Sequence, residues 1–375
     1  MYIHQYLLEE LNAIARPGKV TIIYGPRRIG KTTLLQKYLA DKQNFLLVNG
    51  EDRFVQNELS SQSIQQLKLY IGTRTLLVID EAQKINNIGL NLKLCVDNFK
   101  DLTIIATGSS SFDLNKHVGE PLTGRKNVLK MFPLSQIELN VIEDIATTKA
   151  NLESRLLYGS YPEVILASSN EYRREYLLDL VNSYLCKDLL EVEGIKKSRK
   201  IIDLLQLIAL QVGKEVSENE LATQLGINKK TVAKYLDILE QSFVLIRLNG
   251  FSRNLRKEVT KSAMYYFYDT GIRNAIINNF NSLHTRLDVG DLWENYLVIE
   301  RLKKQSYKKL FKHNYFWRTY DKQEIDWIED GDGVLEAYEF KWRRQRVKPP
   351  GAWLDAYPGA KFSLINQENY LEFIT

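Results

Sequence analysis

Apolar runs and amphipathic stretches alternate through the first third of the chain. The apolar runs are rich in β-branched residues and carry almost no charge, a pattern typical of strands that are buried on both faces of a parallel sheet. The runs predict five strands, at residues 20–24, 45–48, 76–81, 103–107 and 128–132. Helical stretches separate them, so the predicted fold class is α/β with a parallel sheet, whose ligands bind at the carboxyl ends of the strands.

Helical periodicity replaces this alternation after residue 134. Four stretches carry apolar residues at helical spacing and predict a helical lid over residues 135–212, with helices at 135–145, 152–158, 171–190 and 198–212. Residues 213–250 differ. A capping stretch, Ser217 to Glu220, opens the first of two short helices that meet at Gly226, and a strand-like run follows. This order predicts a winged helix-turn-helix.

The last part of the chain, residues 251–375, mixes both patterns. A helix is predicted at 291–305 and another near 352–357, between strand-like runs at 315–319, 324–328, 334–341 and 361–365. The turn Asp330-Gly331-Asp332-Gly333 joins the second and third runs into a hairpin. The chain is therefore expected to have four parts: an α/β core over 1–134, a lid over 135–212, a winged helix over 213–250 and a second α/β domain over 251–375.

Composition narrows the class of protein only slightly. The chain has 375 residues, of which 44% are hydrophobic, so sizeable cores are expected and global disorder is excluded. Lysine and arginine total 51 against 46 aspartate and glutamate, a net charge of +5. This excess is too small to indicate a nucleic-acid partner by itself.

The cysteines and the N-terminus bear on the compartment. Cys95 and Cys186 lie in apolar helical patterns and are predicted to be buried free thiols, which suits a reducing compartment. The N-terminus lacks a basic segment followed by an apolar stretch, and no apolar run approaches the length of a membrane span. We expect a soluble cytoplasmic protein without a membrane partner.

The run after the first predicted strand carries the most specific chemical pattern. It fits G-x-x-x-x-G-K-[ST] and leads into a helix, the context of a phosphate-binding loop. Backbone N–H groups of such a loop surround a polyphosphate, and the helix N-terminus adds its positive dipole end. We expect Lys31 to reach the β- and γ-phosphates of ATP and Thr32 to ligate Mg²⁺. The predicted nucleotide-binding residues are Gly25, Pro26, Arg27, Arg28, Ile29, Gly30, Lys31, Thr32 and Thr33.

Two acids end the third predicted strand. Asp80 is expected to hold Mg²⁺ through its water shell, and Glu81 to orient and deprotonate the attacking water. Ser109 or Ser110, after the fourth strand, is expected to contact the γ-phosphate or that water, although the serines could instead cap the next helix. Arg125 precedes the fifth strand. It is either an arginine finger that acts on a neighbouring copy in a homo-oligomer or a structural arginine.

Several short motifs occur in a fixed order along the chain, at residues 24–33, 80–83, 107–111, 122–125, 158–163 and 266–272. In that order, which extends through essentially the whole chain, the sequence resembles the prokaryotic AAA-type ATPases that carry a C-terminal domain of uncharacterised role. The resemblance implies ATP binding and hydrolysis, with Lys31, Thr32, Asp80, Glu81 and a sensor serine in the site. It also implies a second sensor arginine in the lid, for which Arg155, Arg173 and Arg174 are candidates. In the last of these motifs, Asp269 or Thr270 is expected to cap a helix.

The second helix of the predicted helix-turn-helix carries polar and basic residues. Asn228, Lys229, Lys230 and Lys234 are placed to face a DNA major groove. The alternative is that this part contacts only protein.

Asp326 and the run Glu339-Phe340-Lys341 occur in the C-terminal domain at a spacing that resembles the PD-(D/E)XK nuclease fold. The resemblance lies in Asp326 and in Glu339-Phe340-Lys341, with Glu294 on the preceding helix as a further acid, and Ile325 departs from it where proline is usual. The two hairpin acids are placed to share Mg²⁺, and Lys341 to position water or stabilise charge at a scissile phosphate. The alternative is a salt-bridged hairpin in a scaffold that binds DNA or protein.

The leading hypothesis combines these features. The protein is expected to bind and hydrolyse ATP with Mg²⁺, and its nucleotide state is expected to control DNA engagement by the C-terminal half. Two alternatives are open: a slow ATP-dependent signalling switch whose C-terminal half binds protein, and an ATP-regulated, Mg²⁺-dependent DNA nuclease.

Overall fold

The computed structural model of the protein describes residues 2–109, 122–185, 198–252, 263–319 and 322–375. Ser110, Cys186 and the basic pair Lys196-Lys197 lie outside these ranges. The chain forms two compact units, one of residues 2–133 and 241–243 and the other of residues 134–240 and 244–375. Among the helices of the described ranges, none is both long and apolar enough to cross a membrane.

A five-stranded sheet with parallel pairing throughout forms the centre of the first unit. Its strands are β1 (Val20–Tyr24), β2 (Phe45–Asn49), β3 (Leu76–Asp80), β4 (Thr103–Gly108) and β5 (Lys126–Lys130). They are arranged in the order β2-β3-β4-β1-β5. In the described part of this unit, five helices accompany them: α1 (Leu7–Ile14), α2 (Lys31–Leu39), α3 (Arg53–Leu59), α4 (Ile64–Ile71) and α5 (Ile88–Asn98).

The burial of the strands confirms the prediction of an α/β fold with a parallel sheet. Every position of β1 and β3 is buried, as expected for continuous apolar runs. Polar residues mark the helix starts: the side chain of Asp52 accepts a hydrogen bond from Phe54 N and opens α3, and Ser63 does the same for α4. The strand β3 is one residue shorter than predicted, because Glu81 adopts a left-handed conformation and a 3₁₀ turn follows.

The second unit begins with short helices. They are α6 (Gln136–Leu139), α7 (Ile145–Ala150), α8 (Leu152–Tyr158), α9 (Pro162–Leu166), α10 (Asn170–Leu180), a π-helical turn (Val181–Leu185) and α11 (Ser198–Leu210). The single helix predicted at 135–145 is wrong. Asp144 accepts a hydrogen bond from Thr147 N at 2.7 Å and caps a new helix, so the chain turns between α6 and α7.

The other helices that the structure describes in this unit lie between or beside its strands. They are α12 (Glu218–Leu225), α13 (Lys229–Gln241), α14 (Thr270–Ile276), a 3₁₀ turn (Leu283–Thr285), α15 (Val289–Tyr307), α16 (Gly351–Ala356) and α17 (Tyr370–Ile374). The side chain of Ser217 caps α12, as predicted. The prediction for Asp269 is also confirmed, because its carboxylate accepts a hydrogen bond from Ile272 N at the start of α14.

One seven-stranded sheet runs through the second unit. Its strands are β6 (Glu215–Val216), β7 (Leu245–Gly250), β8 (Ala263–Phe267), β9 (His313–Arg318), β10 (Glu324–Gly331), β11 (Val334–Phe340) and β12 (Lys361–Ile365), in the order β12-β11-β10-β9-β7-β8-β6. The strands β7 and β9 pair in parallel through Asn249 with Tyr315 and Gly250 with Phe316. The sheet therefore continues across the boundary predicted at residue 250.

Candidate functional site

The phosphate loop joins β1 to α2, and its two glycines meet different steric demands. A Cβ atom on Gly25 would lie 2.3 Å from the carbonyl oxygen of Met131, so the loop can pass β5 only with glycine here. Gly30 has a φ of +95°, a left-handed conformation that directs the chain into α2. Ile29 between them is fully buried and anchors the loop, and its carbonyl accepts a hydrogen bond from Gln5 Nε2 at 3.2 Å.

The amine of Lys31 lies inside this loop. Its Nζ donates to the carbonyl oxygens of Gly25 at 3.0 Å and Pro26 at 2.7 Å. Burial lowers the pKa of Lys31 to about 8, although the nearby carboxylates of Glu81 and Asp80 oppose that shift. The amine is thus held among neutral acceptors that phosphate oxygens could replace.

The other loop residues surround the amine. Pro26 is buried, Arg27 half-buried and Arg28 exposed with a φ of 59°. Thr32 and Thr33 are exposed on the first turn of α2. Their N–H groups lie at a helix N-terminus, where an anion is favoured.

A chain of hydroxyl and carboxylate groups crosses the carboxyl ends of the strands. Thr32 Oγ1 donates to Asp80 Oδ2 at 2.6 Å, and the hydroxyl of Thr107 on β4 donates to Asp80 Oδ1. Thr107 Oγ1 also accepts from Glu81 N at 3.1 Å. Thr32 and Asp80 therefore present neighbouring oxygen atoms, the ligand type that Mg²⁺ prefers, and these two residues fit the ion predicted for them.

The side chain of Gln83 links the two residues expected at the attacking water. Its Nε2 donates to Glu81 Oε2 at 2.6 Å and to Ser109 Oγ at 3.0 Å. Ser109 is 5% exposed, and Gln83 Oε1 is buried with no hydrogen-bond partner among the described residues. Glu81 and Ser109, which lie on neighbouring strand ends, are thus brought together as the sequence predicts.

Arg125 lies at the opposite edge of the sheet. Its carbonyl accepts from Val20 N at 2.8 Å, at the amino end of β1, whereas the phosphate loop follows the carboxyl end. A five-residue strand spans roughly 16 Å, so Arg125 is remote from the phosphate loop of its own chain. Its Nε pairs with Asp97 Oδ1 at 2.7 Å, and both side chains are partly exposed.

The three lid arginines have different surroundings. Arg155 is buried and pairs with Glu143 Oε1 at 2.5 Å, whereas Arg173 donates to the carbonyls of Val164 and Ala167. Arg174 is bonded to Asn278 Oδ1 at 3.2 Å. Arg155 and Arg173 are therefore engaged in holding helices of their own unit.

The four predicted DNA-facing residues open α13, and all four are exposed. Asn228 Oδ1 accepts from Thr231 N at 2.7 Å, so its carbonyl end caps the helix. Lys229 Nζ lies 3.8 Å from Glu218 Oε2, a surface pair. Lys230 and Lys234 are one helical turn apart and share a face.

Four residues of the predicted nuclease-like site converge in the second unit. The register that pairs Trp327 with Tyr338 sets Asp326 beside Glu339, and Asp326 Oδ2 accepts from Phe340 N at 2.7 Å. Lys341 Nζ contacts Glu339 Oε1 at 2.6 Å, which is the ion pair expected of a salt-bridged hairpin. Glu294 comes from α15.

Burial and neighbouring carboxylates raise the pKa of the three acids in this cluster. Burial, and then the charge of Glu339, raises the pKa of Asp326 to about 7. Burial, and then the charge of Asp326, raises the pKa of Glu294 well above its usual range, and Tyr266 OH donates to Glu294 Oε1 at 2.6 Å. Burial also raises the pKa of Glu339, against the effect of Lys341. Within the described ranges, no three His, Cys, Asp or Glu side chains are grouped closely enough to hold a metal ion.

Sequence reasoning missed three contacts. It did not identify Thr107, Gln83 or Tyr266 as partners of the candidate acids, although Thr107 ends a predicted strand and Gln83 follows the two acids. The only sequence signal for Thr107 as a partner of Asp80 is its position at the end of a predicted strand. Nothing in the sequence could have paired Tyr266 with Glu294, because they lie on different elements.

Comparison with known families divides the chain into three matched segments. Residues 17–140 match the model of an AAA domain. Residues 149–283 match a domain of unknown function (DUF8612), and residues 289–351 match another (DUF4143). Together with the parallel sheet and the phosphate loop, the first match identifies an AAA-type P-loop domain.

Relatives and solved structures extend the comparison. An uncharacterized protein of Mycobacterium tuberculosis is 27% identical over 349 residues, which cover 89% of this chain and 74% of that protein. One of Methanocaldococcus jannaschii is 25% identical over 336 residues, 84% of this chain and 73% of that protein.

Two solved structures are more distant. A structure on katanin self-assembly matches 40% of this chain and 51% of that chain at 17% identity, with a TM-score of 0.23. Drosophila ORC bound to AT-rich DNA and Cdc6 matches 73% of this chain and 91% of that chain at 13% identity, with a TM-score of 0.27.

Proposed function

We propose that the AAA-type domain binds and hydrolyses ATP at the carboxyl edge of its sheet. Lys31 and the N–H groups of residues 25–33 hold the phosphates, Glu81 accepts a proton from the attacking water, and Ser109 donates to the γ-phosphate or to that water. The observation that carries the proposal is the hydrogen-bonded chain from Thr32 through Asp80 and Thr107 to Glu81. It joins the phosphate loop to the proposed base.

Mg²⁺ is the expected ion of this reaction. Thr32 and Asp80 would hold it, Asp80 through coordinated water. When bound, the ion would neutralise charge on the β- and γ-phosphates. The hydroxyl of Thr107 holds the Asp80 carboxylate in place through a hydrogen bond. The left-handed conformation of Glu81 turns the residues that follow it back toward the strand ends.

The test of this proposal is the Glu81→Gln variant. We expect it to bind ATP with near wild-type affinity and to lose hydrolysis by roughly 10²–10⁴-fold, because general-base catalysis is removed while the phosphate contacts stay. Fluorescent-ATP titration and phosphate release measure the two properties. Unchanged turnover in Glu81→Gln would contradict the assignment of the base, and a wild-type chain that neither binds nor cleaves ATP would contradict the proposal itself.

We also propose that the nucleotide state controls DNA engagement by the C-terminal half. Residues 213–250 would act as a winged helix and residues 251–375 as a nuclease-like scaffold. The order α12, α13, β7 and β8, with β6 antiparallel to β8, supports the first assignment. The shared exposed face of Lys230 and Lys234 supplies cations for phosphate contact.

DNA binding across a range of salt concentrations tests this second proposal. The double variant Lys230→Ala/Lys234→Ala should weaken binding and reduce the slope of log K against log salt by about 2, since each lost phosphate contact removes about one unit. Lys68→Ala, an exposed lysine on α4, is the matched control. Absence of DNA binding at low salt, with and without ATP, would contradict the proposal in favour of a protein-binding switch.

The acid cluster favours a second candidate function, Mg²⁺-dependent cleavage of DNA. Asp326 and Glu339 lie side by side on paired strands and Lys341 is positioned at Glu339, so the two hairpin acids could share a cation beside a phosphodiester. Nicking of DNA in the presence of Mg²⁺ that is lost in Lys341→Ala would support it. No cleavage across single-stranded, duplex and branched DNA would leave a binding scaffold.

Arg125 is proposed as a residue that acts on a second copy of the chain. Because Arg125 lies at the amino edge of the sheet, the only nucleotide that it could contact is one bound to a neighbouring copy of the chain. Mass measurement with and without ATP tests this role: a monomer under both conditions would contradict it.

A further inference from the structure

The side chain of Gln83 lies in the nucleotide site, but the ATPase mechanism proposed above gives it no function. It lies on the 3₁₀ turn Ala82–Lys84, directly after the acids of β3, and this turn is closed by a hydrogen bond from Lys84 N to Glu81 O at 3.0 Å. Both hydrogens of its amide nitrogen are in use, one on Glu81 Oε2 and one on Ser109 Oγ. The side chain therefore fixes the proposed base and the proposed sensor relative to each other.

The acceptor end of the same amide is unsatisfied. Gln83 Oε1 is buried without a hydrogen-bond partner among the described residues, and a buried carbonyl left without a donor is costly. The orientation of the amide is determined, because Glu81 Oε2 is a carboxylate oxygen and can only accept from Nε2. A hydrogen-bond donor is thus missing beside the proposed base.

We propose that Gln83 holds the attacking water of ATP hydrolysis, together with Glu81, and that this inference rests on the ATPase function proposed above. The water donates one hydrogen to Gln83 Oε1 and the other to the free oxygen of Glu81. Both of its hydrogens are then bound, and its oxygen lone pair is directed away from the two side chains. Ser109, whose Oγ accepts from Gln83, keeps its own hydrogen for a phosphate oxygen.

The reaction follows from this placement. The water oxygen forms a bond to the γ-phosphorus, and the bond between that phosphorus and the bridging oxygen breaks. The bridging oxygen leaves with the electron pair on ADP. The hydrogen that the water donates to Glu81 is transferred to its carboxylate, and inorganic phosphate is the second product. Gln83 itself gains and loses no proton.

The test uses the full chain with Gln83→Met, which keeps the length of the side chain and removes both polar ends. We expect kcat to fall about 10- to 100-fold with KM for ATP nearly unchanged, since one hydrogen bond to a charged group and one to the reacting water are lost. Gln66→Met is the matched control, because Gln66 Nε2 also donates to a glutamate, Glu58 Oε2 at 3.3 Å, on the exposed surface. Its kcat should equal that of the unmodified chain.

A second measurement separates this role from a structural one. ADP with aluminium fluoride mimics the attacked phosphate and its in-line water, so Gln83→Met should bind this pair at least 10-fold more weakly while binding ADP alone as tightly as the unmodified chain. Equal loss of ADP binding, or a fall in the thermal midpoint that accounts for the loss of activity, would overturn the proposal. An increase in kcat would also overturn it, because the amide would then restrain Glu81. If the unmodified chain does not hydrolyse ATP, the ATPase proposal itself is wrong, and this outcome is distinguishable from an unmodified chain that hydrolyses ATP and a Gln83→Met variant that does so equally fast.

Discussion

The two acid sites of this protein hold their carboxylates in opposite ways. At the nucleotide site, Asp80 is bonded to two threonine hydroxyls and Glu81 to a glutamine amide, all of them uncharged donors. In the second unit, burial and the charge of Asp326 raise the pKa of Glu294, and burial and the charge of Glu339 raise the pKa of Asp326, while Lys341 forms its ion pair with Glu339. A site with neutral donors is already organised for its ligand, whereas a site of repelling acids gains stability when a cation or a proton arrives.

A third carboxylate shows what full charge compensation looks like. Glu329 lies on β10, three positions beyond Asp326, and is completely buried. Arg301 binds it with two nitrogens, at 2.6 and 2.8 Å, and Trp327 Nε1 donates to it at 2.9 Å. The same strand thus carries a structural acid with an arginine partner and a candidate functional acid without one.

The largest expected effect is the loss of that structural pair. Glu329→Gln should lower the free energy of unfolding by about 3–5 kcal/mol, because Arg301 would remain buried without a counter-charge. Chemical denaturation measures it. The control is Glu336→Gln on β11, which pairs in register with Glu329 but only approaches Lys312 at 4.0 Å, and should change stability by less than about 1 kcal/mol. Equal effects would mean that the two acids are held alike.

The neutral donors of the nucleotide site give the next effect. Thr107→Val should lower the free energy of unfolding by about 1–3 kcal/mol, since it leaves Asp80 and Glu81 N without their shared hydroxyl. Thr21→Val on neighbouring β1 is the control. Its buried hydroxyl has no hydrogen-bond partner in the described part of the chain, so valine should be neutral or stabilising there. Similar losses in both variants would show that the shape of the side chain, and not its hydrogen bonding, determines the change in the free energy of unfolding.

The pH dependence of ATP binding tests how Lys31 is held. The free amine loses its proton above a pKa of about 8, whereas an amine among phosphates stays protonated, so binding above that pH must take up a proton. The dissociation constant should therefore rise about tenfold per pH unit above about 8. Lys31→Arg should remove this slope, because arginine stays charged. A flat profile in the unmodified chain would indicate an amine that is charged before ATP binds.

The smallest expected effect concerns the repelling acids. The folded-state pKa of Asp326 is about 7, above its usual value of 3.8, so the free energy of unfolding falls as the pH rises from about 4 to about 7. Asp326→Asn should raise the free energy of unfolding by about 1 kcal/mol at pH 8 and by less at pH 5, where the aspartic acid is largely protonated in the folded state. Asparagine can still accept the hydrogen bond from Phe340 N. A gain that does not depend on pH would point to packing instead of charge.

Apolar patterning and chain order were enough to predict the sheet of the first unit and most of its candidate site. Continuous apolar strands bury both faces, and the residues that follow them meet at one edge, so Lys31, Asp80, Glu81 and Ser109 could be placed together from their order alone. The AAA domain match supports the same part of the chain.

Contacts between distant segments could be found only in the folded chain, because local sequence patterns do not encode them. The pairing of β7 with β9 joins segments that the sequence separates, because strand pairing depends on distant partners. The contacts of Gln83 with Ser109, and of Tyr266 with Glu294, also join separate elements of the fold. Chain order specifies which residue types reach a strand end. Burial and hydrogen bonding in the folded chain then determine which of these side chains are charged, which are neutral and which keep an acceptor atom without a donor.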